Sequence, residues 1–106
     1  MKYVSTRGRA EPVDFVTACL AGLAPDGGLY VPETWPQIQP PTAGMPYAEV
    51  AARILSAFAG DSVPEKDMLE MCTRAYSSFS HRAVAPLTQA GASTWLMELY
   101  LSLIHI

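Results

Sequence analysis

The sequence contains no block of like charge and no apolar run long enough to cross a membrane. Its 7 basic and 10 acidic side chains are scattered along 106 residues and leave a formal net charge of −3. Proteins that bind nucleic acid or anionic membranes usually carry a basic patch. The most apolar stretch, 95–106, is shorter than the roughly 20 residues that a spanning helix needs. We therefore expect neither nucleic acid nor a membrane as a partner.

Signals for secretion and for metal binding are also missing. No apolar stretch follows the basic residues Lys2 and Arg7, so we expect no secretory signal and a cytoplasmic location. The two cysteines, Cys19 and Cys72, form no CxxC motif and have no histidine at ligand spacing. Both lie on apolar helical stripes, which favours buried free thiols over a disulfide or a metal pair. No metal site is expected.

Half of the residues are hydrophobic, which is enough for one folded domain of this length. The first predicted helix starts at Asp14 and ends near Ala21, with Gly22 as its C′ residue. The second has the clearest periodicity, with apolar residues at Tyr47, Val50, Ala51, Ile54, Leu55 and Phe58. A glycine, Gly60, follows it.

A third helix is predicted after a capping box formed by Ser62 and Glu65, with Met68 and Cys72 on its buried face. Short strands are predicted at 2–5 and at 94–99, the second of them without a partner strand. The predicted fold class is therefore α/β, a small mixed domain with about three helices and short strands.

One candidate substrate-binding site follows the first strand. Ser5, Thr6 and Arg7 bring two hydroxyls and a guanidinium together, a combination that can bind phosphate or carboxylate through charge-assisted hydrogen bonds. The alternative is that Arg7 closes its loop on a neighbouring acid such as Glu11 or Asp14. No catalytic residue is assigned from spacing.

Two further motifs each have two interpretations. Asp26 and the glycines 27–28 could form an anion-binding nest or an ordinary turn. His81 could act as a base, or it could lie at the C-terminus of the third helix and interact with the helix dipole. His105 is assigned no role.

Four segments together resemble the N-terminal region of bacterial threonine synthases. They are MKYVSTRG at the start, GLAPDGGLYVPE at 22–33, YAEVAARIL at 47–55 and AYSSFSHRAVAPL at 75–87. Their order and spacing match the family almost to Leu99. The resemblance implies a pyridoxal-phosphate enzyme of fold type II that converts O-phosphohomoserine and water into threonine and phosphate.

The resemblance also implies that part of the family's machinery is missing. LMEL at 96–99 matches the segment before the motif that carries the Schiff-base lysine, but the chain continues with LSLIHI instead. Lys2 and Lys66 are the lysines present, and flanking acids would keep Lys66 protonated, whereas a Schiff-base lysine needs a lowered pKa or a nearby proton acceptor. We therefore expect that this chain binds no cofactor and is inactive alone, although the full-length family uses pyridoxal phosphate.

The expected organisation is a threonine synthase-like N-terminal domain at 1–93, the first strand of a cofactor domain at 94–100, and a tail at 101–106 unlike the family. The tail resembles a translated sequencing adapter, which favours an interrupted gene. The domain would pack on a pyridoxal-phosphate domain in an intact enzyme, and 95–106 could cause self-association. The alternative is a stand-alone interaction module that adds its C-terminal apolar strand to the sheet of a partner.

Overall fold

The computed structural model describes residues 1–99, which form three helices and four short strands. The elements are β1 (Tyr3–Ser5), α1 (Phe15–Ala21), β2 (Tyr30–Pro32), α2 (Tyr47–Ala59), α3 (Glu65–Ser77), β3 (Leu87–Gln89) and β4 (Trp95–Met97). A single 3₁₀ turn, Gly60–Ser62, joins α2 to α3. The predicted α/β class with three helices and short strands is confirmed.

The core lies between α2 and α3. Its buried members are Ala52, Ala59, Met68 and Cys72. Ala52 and Ala59 are only 3% and 0% exposed, and their small side chains let the two helices approach closely. This core is small, because no large side chain in residues 1–99 is fully buried. No helix in that range has the length and apolar content that crossing a membrane would require.

Helix α1 begins and ends where the sequence predicts. Asp14 is its N-cap, and the carboxylate accepts a hydrogen bond from the amide of Thr17 at 2.8 Å. The helix closes at Gly22, whose positive φ of 72° glycine adopts more readily than any other residue. The amide of Gly22 donates to the carbonyl of Ala18, which satisfies one of the last carbonyls of the helix.

The start of α3 differs from the prediction. Its N-cap is Pro64, which offers no side-chain acceptor, while Ser62 ends the preceding 3₁₀ turn. The predicted capping box of Ser62 and Glu65 is therefore wrong. The prediction fails because Ser62 lies two residues before the N-cap, and the extended residue Val63 separates the two.

Two antiparallel pairs make up the β structure. In the first pair Val4 of β1 lies opposite Val31 of β2, and the hydroxyl of Tyr3 donates to the carbonyl of Phe58 at 2.7 Å, which ties the pair to α2. In the second pair Thr88 of β3 lies opposite Leu96 of β4. The sequence predicted β4 without a partner strand, and this prediction was wrong because β4 pairs with β3. Three residues of mixed polarity were too few to reveal β3. The tail at 101–106 lies outside the described residues.

Candidate functional site

The end of β1 and the turn that precedes β2 meet in a hydrogen-bonded cluster. Ser5 is buried, and its hydroxyl lies 2.7 and 2.8 Å from the two carboxylate oxygens of Asp26, to which it donates. The pairing of β1 with β2 brings these residues together, because Ser5 lies opposite Tyr30 in the register. We call the group formed by Ser5, Arg7, Asp26 and Gly28 the Asp26 cluster.

The carboxylate of Asp26 organises the loops around it. Besides Ser5, it accepts hydrogen bonds from the main-chain amides of Gly28 at 2.9 Å and of Arg9 at 3.0 Å. The Ser5 hydroxyl contributes most, and the Gly28 amide next, to holding the pKa of the Asp26 carboxyl below its ordinary value of 3.8. The carboxylate is therefore charged at neutral pH and fixes the 5–9 loop to the turn.

Arg7 closes its loop on this turn rather than on either acid that the sequence suggested. Its Nη1 donates to the carbonyl oxygen of Asp26 at 3.1 Å. Asp14 instead caps α1. The side chain of Arg7 is exposed, so guanidinium N–H groups other than the one on Asp26 face solvent. A guanidinium held at one end and open at the other can still bind an anion.

The two hydroxyls of the predicted site hold the loop. The Oγ1 of Thr6 accepts from the amide of Leu29 at 3.0 Å, while the amide of Thr6 donates to the Leu29 carbonyl at 2.8 Å. The hydroxyl of Ser5 is engaged by Asp26 and also accepts from the Arg7 amide at 3.2 Å. The structure thus brings Ser5, Thr6 and Arg7 together in one loop. Of these three side chains, Arg7 is the one that has hydrogen-bond donors directed toward solvent.

The two glycines of the turn are needed for different reasons. Gly27 has a φ of 82°, and a Cβ there would lie 2.9 Å from Nη1 of Arg7. Gly28 is buried, and a Cβ there would overlap the Oγ of Ser5. Both amides are already bonded, Gly27 to the carbonyl of Ala24 and Gly28 to Asp26. This favours the ordinary turn over the anion nest. The sequence marked the turn but not the carboxylate as its centre, since the contact with Ser5 spans 21 positions.

Exposed leucines adjoin the Asp26 cluster. Leu29, bonded to Thr6, forms a bridge with Leu23, and the two side chains are 59% and 60% exposed. Leu20, near the end of α1, is 84% exposed. We call Leu20, Leu23 and Leu29 the leucine surface. Contiguous exposed apolar patches often mark an interaction site.

The remaining candidates do not form a site. Lys2 and Lys66 are both exposed, so neither fits the enclosed amine that would hold pyridoxal phosphate as a Schiff base. His81 lies beyond the end of α3, and its Nδ1 accepts from the amide of Ala83 at 3.0 Å, so the helix-terminal prediction is wrong. Residues 1–99 contain no group of three or more metal-binding side chains. His105 lies outside the described residues.

Known proteins with similar sequences point to one family. The family model described as threonine synthase N terminus matches residues 2–76. The threonine synthase of Pseudomonas aeruginosa is 41% identical over 104 residues, covering 94% of this chain and 22% of that protein. Human threonine synthase-like 2 is 37% identical over 105 residues, with 94% of this chain and 22% of that protein covered.

Solved structures agree with the sequence matches. Pyridoxal-phosphate-bound threonine synthase from Brucella melitensis superposes with a TM-score of 0.82 at 46% identity, over 94% of this chain and 22% of that one. The Escherichia coli threonine synthase gives a TM-score of 0.72 at 26% identity, over 94% of this chain and 23% of that one. This chain therefore spans less than a quarter of the length of the relatives that it matches. With the fold and the sequence in agreement, the chain belongs to the threonine synthase family and corresponds to its N-terminal region.

Proposed function

We propose that this chain is the N-terminal domain of a cytoplasmic threonine synthase and works only when it is joined to a larger pyridoxal-phosphate domain. The intact enzyme would convert O-phosphohomoserine and water into threonine and phosphate. The relative from Brucella melitensis has pyridoxal phosphate bound, and this chain corresponds to 22% of it. On this proposal, the activity depends on residues of the larger domain, which lie outside the 22% of the relative that this chain covers.

The observation that carries the proposal is the leucine surface. Leu20, at 84% exposure, is covered only slightly by the rest of residues 1–99. Burying a leucine is worth about 1.5–3 kcal/mol, so a partner that covers the three leucines would be bound strongly. We propose a larger domain of the same enzyme as this partner, because large exposed apolar patches mark surfaces that another protein unit covers.

The lysines support the inactivity of the chain alone. A Schiff base forms through an unprotonated amine, which enzymes obtain by desolvating the lysine or by placing a cationic group or a base beside it. Lys66 is exposed in the first turn of α3 between Glu65 and Asp67, and Lys2 is exposed beside β1. Neither position offers such an environment, and no step of the reaction is assigned to residues of this chain acting alone.

Within the intact enzyme, we propose that Arg7 contacts the anionic substrate while Ser5 and Thr6 position it. The hydroxyls are engaged by Asp26 and Leu29, as described above, and they hold the loop that carries Arg7. The free N–H groups of the guanidinium suit the phosphate or carboxylate of O-phosphohomoserine. Leu29 of the leucine surface bonds to Thr6 in this loop. A domain that covers the leucine surface would therefore lie close to Arg7 and form a substrate cleft with it.

A chimeric enzyme tests the proposal. Residues 1–99 of this chain would replace the matching N-terminal segment of the Pseudomonas aeruginosa enzyme. We expect the chimera to release phosphate from O-phosphohomoserine within about tenfold of the parent rate, a difference of about 1.4 kcal/mol in barrier. The 106-residue chain mixed with pyridoxal phosphate should release none. Release by the chain alone, or a folded and cofactor-loaded chimera without activity, would contradict the proposal.

The role of Arg7 is tested in the same chimera. Replacing Arg7 with Met should raise the KM for O-phosphohomoserine by about tenfold or more, because a charge-assisted hydrogen bond to the anion is lost. Arg9→Met is the matched control, since only the main-chain amide of Arg9 bonds to Asp26. An equal effect of the two replacements on KM would argue against a contact between Arg7 and substrate.

A further inference from the structure

The turn before β2 holds one end of the Arg7 guanidinium. The Nη1 group of Arg7 donates to the carbonyl oxygen of Asp26 at 3.1 Å. A Cβ placed on Gly27 would lie 2.9 Å from Nη1, 3.4 Å from Cζ and 3.9 Å from Nη2 of Arg7. The guanidinium therefore lies against the Cα of Gly27 with its Nη1 end, and Nη2 is farther from the turn.

The peptide group that joins Asp26 to Gly27 is itself fixed on both sides. Its N–H group donates to the carbonyl of Ala24, a buried residue, at 2.9 Å. The carboxylate of Asp26 accepts from the buried hydroxyl of Ser5 at 2.7 and 2.8 Å and from the amide of Gly28 at 2.9 Å. The Asp26 carbonyl is therefore a rigid acceptor for Nη1.

The other edge of the guanidinium is open. In any arginine, the Nε–H group and one N–H group of Nη2 lie side by side and can bind two oxygens of one anion in parallel. Within residues 1–99, neither Nε nor Nη2 of Arg7 has a hydrogen-bond acceptor, and the side chain is exposed. We call Nε and Nη2 the open edge of Arg7. The single bond through Nη1 thus leaves a complete pair of parallel donors.

The contact with Arg7 requires that position 27 carries no side chain. Gly27 has a φ of 82°, and Gly44, in a different loop, has a φ of 83°. A Cβ on Gly44 would meet no atom within 4 Å, whereas one on Gly27 would come closer to Nη1 than non-bonded atoms stay. A long arginine side chain changes rotamer at lower cost than a hydrogen-bonded turn changes shape. Alanine at position 27 would therefore displace the guanidinium and leave the turn in place.

We propose that the Asp26–Gly27 peptide group positions Arg7, so that the open edge meets the anionic group of O-phosphohomoserine. Gly27 is then a positioning residue, because it acts through Arg7 and does not touch the substrate. Two parallel hydrogen bonds form only when both donors face the anion, and a guanidinium already held in that orientation loses less entropy on binding. This inference rests on the proposed function, which assigns the anion contact to Arg7.

Alanine at two glycines of nearly equal φ gives a matched comparison in the chimera. Gly27→Ala and Gly44→Ala impose similar left-handed strain, so we expect similar decreases in melting temperature. Gly27→Ala should also raise the KM for O-phosphohomoserine by about threefold or more with kcat nearly unchanged, because the displaced guanidinium loses hydrogen bonds to the substrate. Gly44→Ala should keep the parent KM. Equal KM values for the two variants would overturn the inference.

Combination with Arg7→Met distinguishes positioning from a general disturbance of the loop. Once the guanidinium is absent, a Cβ at position 27 has no side chain to displace. Gly27→Ala should therefore leave the KM of the Arg7→Met chimera unchanged, so that the two effects on KM are not additive. A further increase of about threefold in the double variant would overturn the inference, since Gly27 would then affect substrate binding without Arg7.

Lysine at position 7 tests the role of the open edge. Lysine keeps the positive charge, but its ammonium offers no planar pair of parallel donors. Arg7→Lys should therefore raise the KM nearly as much as Arg7→Met does. A parent-like KM in Arg7→Lys would overturn the inference, because charge alone would then be sufficient for binding.

The outcomes separate this inference from the proposed function. If Arg7→Met raises the KM while Gly27→Ala and Gly44→Ala do not differ, the inference is overturned and the contact between Arg7 and substrate stands. If Arg7→Met leaves the KM at the parent value, the proposed contact fails, and the inference fails with it. A folded and cofactor-loaded parent chimera without activity contradicts the proposed function itself.

Discussion

The buried hydroxyl of Ser5 donates to both carboxylate oxygens of Asp26, across 21 positions of sequence. This pair joins β1 to the turn before β2, and the bond from Arg7 to the main chain of Asp26 follows from it. The neighbouring amides of Arg9 and Gly28 bond to the same carboxylate. The conformation of the loop that carries Arg7 is therefore coupled to one ionised group.

Acid should weaken the fold through Asp26. The native hydrogen bonds lower the pKa of this carboxyl from 3.8, so its contribution is present above that pH and is lost as pH falls through the lower native value. We expect Asp26→Asn to reduce stability at neutral pH and to flatten the loss of stability on acidification. Thermal unfolding as a function of pH measures both effects. The control is Glu70→Gln, on the exposed face of α3. A variant with the same acid dependence as the parent would contradict this role of Asp26.

Gly28 should tolerate alanine less well than Gly8 does. Alanine at Gly28 would overlap the hydroxyl of Ser5, so the cluster must open, and overpacking of this kind costs about 1–3 kcal/mol. Gly8 has a φ of 71° but open space around it, so alanine there adds only the strain of a left-handed backbone, about 1 kcal/mol.

Urea unfolding of the two alanine variants measures this difference. If Ser5→Ala is combined with Gly28→Ala, part of the loss should be recovered, because the overlapping oxygen is gone. Purely additive effects of the two replacements would show that the contact with Ser5 is not the cause.

The two cysteines should differ in reactivity. Cys72 is buried in the core, and burial raises the pKa of its thiol, so a thiol reagent should reach it only on unfolding. Cys19 is exposed on α1, which corrects the prediction that both thiols are buried, since the helix turns its Ala18 side inward and leaves the neighbouring Cys19 outside the packed face. We expect one modified cysteine per native chain and none in Cys19→Ser. Rapid labelling of Cys72 in the folded protein would show that the α2–α3 core is open.

Local patterns predicted the helices well. The period of apolar residues located α2, and the Asp14 cap and Gly22 located both ends of α1, because these signals depend on neighbours within a few residues. The capping box predicted at Ser62 failed because Ser62 belongs to a 3₁₀ turn, Gly60–Ser62, which has no comparable signal in the sequence. β3 was missed because a three-residue strand acquires its identity only from the partner that pairs with it.

The sequence by itself determined the α/β class, the positions of the helices, the loop that contains Ser5, Thr6 and Arg7, and membership of the threonine synthase family. Each of these is written in spacing or in motifs along the chain. Only the tertiary structure decided that Asp26 holds that loop and that Cys19 and the leucine surface remain exposed. Contacts between distant segments depend on how strands pair and helices pack, and no local pattern records that.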